Sequence, residues 1–425
     1  MRSWLIPMVY LVVSIIAALT LPRLEHAYLP QYIDTMSVGS ATAAFSSIAS
    51  GMLALMGIVF AIAFVMVQFN AVAYSPRLVI VLANNPALFH AMGIFFATFV
   101  YSLGALAWTD RNGSGVVPFF STVLVLALSI VSMMAFAWLI KSLNSLQIHN
   151  VLRAIGDNGR VVIGAMFKPI ETHASPDQTN ALGEFERLGP VGQTVTYSGR
   201  PLAVARFEIG KLVALARSSG AIVVLDCGVG DTLIDNMVVL RVYGARALLP
   251  EAALMAAVHL STARTFEQDP KYAIRLLVDI AIRALSPAVN DPTTAVQALD
   301  QIEDLLRRLG RLELDASHVR DADGALRVVI PMPLWRDYLS LSFDEIRIYG
   351  TNSVQVMRRL RAALTGLAEN VASDARRDEV RRYLQHLDLG VANSALDGED
   401  QAMAQTEDRQ GLGLPRGTII GQRGG

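Results

Sequence analysis

Four apolar blocks, none containing an Asp, Glu, Lys or Arg, run from about Trp4 to Leu21, Thr42 to Phe69 with a helical lead-in from Val38, Ala87 to Trp108, and Val116 to Ile140. Each is about as long as the roughly 20 residues a helix needs to cross a hydrocarbon layer. In lipid every backbone N–H and C=O must be satisfied within the segment, so each block is expected to be a transmembrane helix. The first block, preceded by Arg2, could pass for a secretory signal. It is long for one, and the flank "PRLEHAYLP" offers no small-x-small cleavage site, so a retained helix is expected.

The charges divide the chain. The first 150 residues hold five basic and three acidic side chains, leaving 31 and 34 for the remainder. Only 17% of the whole is charged, against about 25% in soluble domains. A soluble part of ordinary charge therefore follows the membrane part. It is slightly acidic, which argues against a nucleic-acid partner. Arg2, Arg77 and the Lys141, Arg153, Arg160, Lys168 series fall on one side of a four-helix topology. Both termini and everything after residue 141 are thus expected in the cytoplasm. Cys227 has no second cysteine to pair with, which fits a reducing compartment.

The second block is built differently from the others. In "GSATAAFSSIASG" (39–51), Gly39, Ala43, Ser47 and Gly51 form a ridge almost without side chains, and Thr42, Ser46 and Ser50 form a hydroxyl stripe beside it. The ridge suits close helix packing in lipid. The stripe makes Thr42, Ser46 and Ser50 candidates to line a solute path. The spans hold no carboxylate for a proton relay, and His90 falls near the start of the third. After the second span, Ser75 can cap a short helix with Pro76 in its first turn. Arg77 would pin that helix at the cytoplasmic interface; a gate is the second reading.

Beyond the membrane part, the fourth helix is expected to continue past Lys141 on apolar positions 148, 151, 152 and 155, ending before Pro169, with a loop to about residue 192. A small β module is expected over 193–250. In it "TVTYSGRPLAVARF" reads as a hairpin and "EIGKLVALARSSG" as a helix closed by Gly220. Strand, Gly-Asp turn and strand over 221–244 resemble half of the barrel-sandwich found in lipoyl and biotinyl domains. The Met-Lys-Met attachment hairpin is missing, so no cofactor is expected.

Residues 251–392 read as a mixed, mainly helical domain. Ahead of its first long helix stand Arg264 and Asp269, read as an ion pair with an acid/base role as the alternative. In "ALSPAVNDPTTAV" (284–296) a helix stops before Pro287, and another starts with Asp291 as N-cap and Pro292 at its first position. The stretch is a hard corner. Alternatively Ser286, Asn290, Asp291, Thr293 and Thr294 offer a polar cluster to a ligand or subunit. A strand at "ALRVVIPMPL" and helices near 334–348, 352–370 and 374–390 follow, and a tail from 393 is expected to be mobile.

"SPRLV" after the second span, "RTFEQD" and "LVDIAIRALSPAVNDPTTAVQALD" together resemble an uncharacterised family of bacterial membrane proteins, domain of unknown function 2254. The resemblance implies an inner-membrane protein with N-terminal membrane helices and a cytoplasmic α+β domain. It carries no activity and assigns no roles to Arg264, Asp269, Ser286, Pro287, Asn290, Asp291 or Pro292.

Seven histidines lie scattered without metal-ligand spacing, and no phosphate loop or nucleophile elbow occurs, so neither an enzyme nor a metal site is expected. The preferred reading is an oligomeric channel or transport protein moving an ion or small solute, since four helices are few for a monomeric transporter. The alternative is a membrane-anchored sensor or scaffold. Sidedness is testable directly. In a Cys227→Ser background, cysteines placed at Asp110 and Asp323 should react with an impermeant maleimide from opposite faces of the membrane. Labelling of both from one face would reject the four-pass topology.

Overall fold

The computed structural model describes residues 5–28, 37–73, 86–110, 117–144, 147–170 and 189–412. The chain divides into two compact units, Met1–Asn150 and Val151–Gly425. The fold is α+β, four apolar helices followed by a mixed region, with no closed barrel among the described residues.

The first unit holds α1 (Leu5–Tyr28), α2 (Val38–Ala73), α3 (Pro86–Trp108) and α4 (Phe119–Asn144). Stretches long and apolar enough to span are Leu5–Glu25, Val38–Ile62, Pro86–Trp108 and Phe119–Ser142. α3 is the central helix: 44% of its span is buried, against 17% in α1, 28% in α2 and 22% in α4. It can be central because its glycines let α1 approach. A Cβ on Gly104 would lie 2.5 Å from Cβ of Ala18, and one on Gly93 would lie 2.4 Å from Cδ2 of Tyr10. The two glycines are three turns apart on one face. Across the same seam Ser14 Oγ donates to the Ala97 carbonyl at 2.7 Å. Thr98 Oγ1 and Ser132 Oγ, 2.9 Å apart, join α3 to α4.

Two expectations change here. α1 does not end near Leu21 but runs through Pro22 to Tyr28. The extension brings a carboxylate, Glu25, into the first span. Glu25 is buried, and its oxygens accept from Phe120 N at 2.7 Å, Ser121 N at 3.1 Å and Ser121 Oγ at 3.2 Å. The first amides of α4 lack intrahelical acceptors, and an anion there is favoured by the helix dipole as well. α1 thus caps α4 from outside.

α5 (Ile148–Met166) lies mostly in the second unit. It is not a bare linker: Gly159 sits against Ala273 and Leu305. Strand β1 (Lys168–Pro169) pairs with β8 (Leu312–Glu313), but β2 (Val191–Thr196) and β3 (Leu202–Phe207), the two arms of the expected hairpin, do not pair with each other. After α6 (Ile209–Ser219) come β4 (Ile222–Leu225), β5 (Thr232–Leu233), β6 (Val238–Tyr243), α7 (Glu251–Met255) and β7 (Val258–Ser261). With β9 (His318–Arg320) and β10 (Leu326–Val329), β2, β6 and β4 make a five-stranded sheet ordered β2-β6-β4-β10-β9. Only β4–β10 is parallel. A second sheet is ordered β5-β3-β7. The β part therefore reaches well beyond 193–250 and is not a barrel-sandwich. The reason is the apolar β4, "IVVL": a strand so buried needs neighbours on both edges, and the chain supplies β10 from about 100 residues further on. Gly220, at φ 66°, closes α6 as its sequence position requires.

A helical layer completes the unit: α8 (Pro270–Ala284), α9 (Pro292–Leu309), α10 (Trp335–Gly350), α11 (Val354–Asn370) and α12 (Asp374–Ala392). The buried Arg359 of α11 pairs with Asp300 at 2.8 Å and Glu303 at 2.6 Å on α9. The segment expected to be mobile from 393 is folded as far as Leu412. It forms α13 (Gly398–Ala404), buries Asp408 and lays Gly411 against Val296 of α9.

Gly104→Ala should destabilise the full-length protein in detergent by about 1–3 kcal/mol, because the helices are already in contact there. Gly57→Ala, where the added carbon meets nothing within 4 Å, should not. Thermal unfolding of both variants provides the comparison.

Candidate functional site

The residues singled out in α2 all lie on one side of that helix, and it is the outer side. Gly39, Thr42, Ala43, Ser46, Ser47, Ser50 and Gly51 are exposed. The chain's own helices are met by the opposite ridge, Ala41, Phe45, Ala49, Met52, Met56 and Val59. The small ridge thus makes no close helix contact within one chain: a Cβ on Gly39 or Gly51 would meet nothing within 4 Å. Within the chain the close-packing role expected of this ridge has no partner among the described residues. The close contact falls on Gly93 and Gly104 of α3, whose three-turn spacing was the available signal. Phe45 explains the difference, since a large apolar side chain on the inner ridge buries more area than the small residues could.

Outward faces elsewhere in the unit carry large hydrocarbon side chains, among them Val12, Val13 and Ile16 of α1 and Ile130, Met133 and Met134 of α4. α2 itself returns to this pattern after residue 52, exposing Leu53, Ile58, Phe60 and Phe64. Its first half, by contrast, presents a continuous face of hydroxyls and small residues outward. Ser75, Pro76 and Arg77 lie outside the described residues. His90 pairs with Tyr10 Oη at 3.3 Å.

In the second unit, the corner between α8 and α9 uses its polar groups internally. Asp291 caps α9, its carboxylate accepting from Thr294 N at 3.1 Å and Thr294 Oγ1 at 2.6 Å. Ser286 Oγ donates to the Arg283 carbonyl at 2.7 Å, and the Asn290 and Asp291 amides donate back to Ser286 and Ala284. Asn290 stands at φ 47°, a left-handed position that asparagine tolerates. Pro292 opens the helix, while Pro287 and Thr293 are exposed. With Asp291 and Thr294 saturating each other, the geometry is that of a turn.

Arg264 and Asp269 are brought together loosely. Nε of Arg264 stands 3.9 Å from Asp269 Oδ2 and donates instead to the Gly230 carbonyl at 2.8 Å. Both groups press on Gly230 (φ 89°), where a Cβ would lie 2.4 Å from the carboxylate. Asp269 is 1% exposed, and neither of its oxygens has a hydrogen bond of normal geometry. The nearby amides of Lys271 and Tyr272 draw its titration down without closing such a bond. Burial nevertheless dominates and raises its pKa against the opposing charges of Lys271 and Arg264. Tyr338 of α10 is also fully buried, its hydroxyl unpartnered. Burial and then the Asp269 charge raise its pKa. Sequence reading found Arg264 and Asp269 but not Gly230 or Tyr338, which come from distant segments.

A pair on the three-stranded sheet was not anticipated either. Glu208 and His259 meet at 2.5 Å, and the contact lowers the carboxyl pKa. Burial pushes the Cys227 thiol up to about 12, an unreactive value. Among the described residues no group of three or more His, Cys, Asp or Glu could hold a metal ion.

The family model described as "Predicted membrane protein (DUF2254)" matches residues 1–366. Two relatives described as uncharacterized proteins are Mb1321c of Mycobacterium bovis and Rv1290c of Mycobacterium tuberculosis. Each is 26% identical over 409 residues, covering 90% of this chain and 76% of its own length. No solved structure matches the chain.

Because the folded state raises the Asp269 pKa, Asp269 contributes its full stability only below the ordinary carboxyl range of about 4. That contribution is lost as pH rises through the folded value. Asp269→Asn should therefore unfold at a higher temperature than the parent at pH 7.5, by on the order of 1 kcal/mol. The advantage should shrink towards pH 4. An equal or larger advantage at pH 4 would contradict the assignment.

Proposed function

The chain belongs to the DUF2254 family of predicted membrane proteins, and on that premise we propose that it is a bacterial inner-membrane protein that self-associates through α2 to form a path for an ion or small solute. What carries the reading is the outward face of residues 39–51. Hydrocarbon-facing helices favour large apolar side chains. A face of glycine, alanine, serine and threonine suits another helix or water instead. The ridge Gly39, Ala43, Ser47 and Gly51 would be the contact between copies. Thr42, Ser46 and Ser50 would face the path. Both termini and the second unit would lie in the cytoplasm, where that unit would regulate opening.

The second reading is a membrane-anchored sensor or scaffold. The observation favouring it is the polar cluster around Asp269: a buried carboxylate without a well-formed hydrogen bond, and with only a long contact to Arg264, costs a domain stability, as groups kept for function do. A metabolite screen by thermal shift on the whole protein, with leak measured in parallel, separates the two. A specific ligand without any conductance would favour the sensor.

For the conduit, reconstituted protein should pass ions or a small neutral solute across liposomes. Ser46→Leu and Ser50→Leu should each cut the flux at least several-fold while leaving the assembled state unchanged in cross-linking. Cysteine at Ser47, in a Cys227→Ser background, should form disulfide-linked dimers in membranes. Absence of both flux and dimer would reject the reading.

A further inference from the structure

Between α1, α3 and α4 lies a cavity of about 490 Å³, away from the α2 face discussed above. Its walls are Leu21 and Leu24 of α1 and Phe120 and Leu124 of α4; at its back are Glu25, Tyr101 and Ser121. The wall residues Leu21, Leu24 and Phe120 are exposed, and the three polar ones are buried. We propose that this cavity is a built site for one acyl chain of a membrane phospholipid, held between α1 and α4.

The polar groups at the back decide what the cavity can take. They are already consumed. Glu25 receives three donors from the start of α4, and the Tyr101 hydroxyl donates to Ser121 Oγ at 3.3 Å. A buried carboxylate that already accepts three hydrogen bonds has little capacity left for a metal ion or an amine, and the occupied hydroxyls have little to give a phosphate. What the cavity leaves exposed is carbon. The surroundings decide the source. All the wall residues except Tyr28 at the rim belong to stretches long and apolar enough to span. Arg23 lies over the Trp108 ring at 5.4 Å near the same end of α1. An aromatic-cation pair of this kind marks the level where lipid headgroups meet hydrocarbon. The cavity straddles that level, from Leu21 to Tyr28 along α1, so the carbons of a chain next to its glycerol meet the cavity walls.

Leaving bulk lipid gives the chain no hydrophobic gain, so its affinity comes from close packing against fixed walls. The site is therefore sensitive to shape. Filling it with a larger side chain should displace the occupant, while a neutral change elsewhere on the lipid face should not.

The test uses the full-length protein in detergent, washed until loosely held lipid is gone, and analysed by native mass spectrometry. One phospholipid per chain should remain. Leu24→Trp and Leu124→Trp should each lower that retention roughly ten-fold, which is about 1.4 kcal/mol. Val13→Trp, on the outer face of α1, should not. A phospholipid bearing a diazirine near its acyl terminus should cross-link within the unaltered protein to Leu24, Phe120 or Leu124. This measurement holds even if a tryptophan variant fails to fold. Retention of detergent alone, equal retention in folded tryptophan variants, or labels spread evenly over the outer helix faces would each overturn the proposal. None of these outcomes depends on whether α2 forms a conduit.

Discussion

The membrane unit depends on how closely α1 and α3 can approach. Hydrocarbon tolerates no unpaired polar group, and it offers no hydrophobic force to hold helices together once they are inside it. Contact has to come from shape. Gly93 and Gly104 remove the carbons that would keep α1 away. With α1 seated, the Ser14 hydroxyl reaches the Ala97 carbonyl, and Glu25 reaches the exposed amides at the start of α4. If α1 were displaced, a carboxylate and the amides of a helix start would both be left in a medium that cannot solvate them. The glycines, the long first helix and the buried acid therefore form one arrangement, and none of its parts is stable without the others.

The second unit, outside the four candidate spans, meets the problem of buried polar groups by different means. Arg359 is buried, and it is matched by two carboxylates on α9, so taking its charge out of solvent is compensated. Asp291 spends its carboxylate on the start of α9. Asp408 turns inward and accepts from the Gln410 and Gly411 amides, holding the C-terminal segment against α9 and α11. Against this background Asp269 stands out. It has a cation nearby, yet Arg264 gives its best-aligned proton to the Gly230 carbonyl instead. Burial raises its pKa against the nearby charges of Lys271 and Arg264.

The spans, the corner at 285–292, Gly220 and the order of the C-terminal helices were legible because each follows from local chemistry: apolar length, proline geometry, an N-cap and a left-handed glycine. The sheet was not. β2 and β3 carry the pattern of a hairpin, but pairing is decided by which apolar strand needs a second neighbour, and β10 is far away in sequence. The role of Glu25 was hidden for a related reason, since its partners, Phe120 and Ser121, are about 95 residues on. The folded stretch after residue 393 has too few apolar residues to announce itself, and it is fixed by backbone contacts such as Asp408 N to the Arg358 carbonyl at 3.3 Å. In α2 the ridge of small residues was plain, but its partner was not, because small residues say how close a neighbour can come and not which neighbour it is.

That last point bears on the geometry any assembly could have. Residues 39–51 cover roughly 18 Å of helix at 1.5 Å per residue, little more than half of a hydrocarbon layer about 30 Å thick. Beyond them α2 turns Leu53, Ile58, Phe60 and Phe64 outward. Two copies could approach closely along the first stretch but would be pushed apart along the second. Helices that meet through small residues commonly cross at a substantial angle instead of running parallel. A ring of such contacts would be narrow and hydroxyl-lined at the end of α2 near Val38. It would splay open towards the other end, where lipid would fill the gaps between subunits. The selective part of a path would then lie within the first four turns of α2, where Thr42, Ser46 and Ser50 are found, and the wide end would contribute little to discrimination.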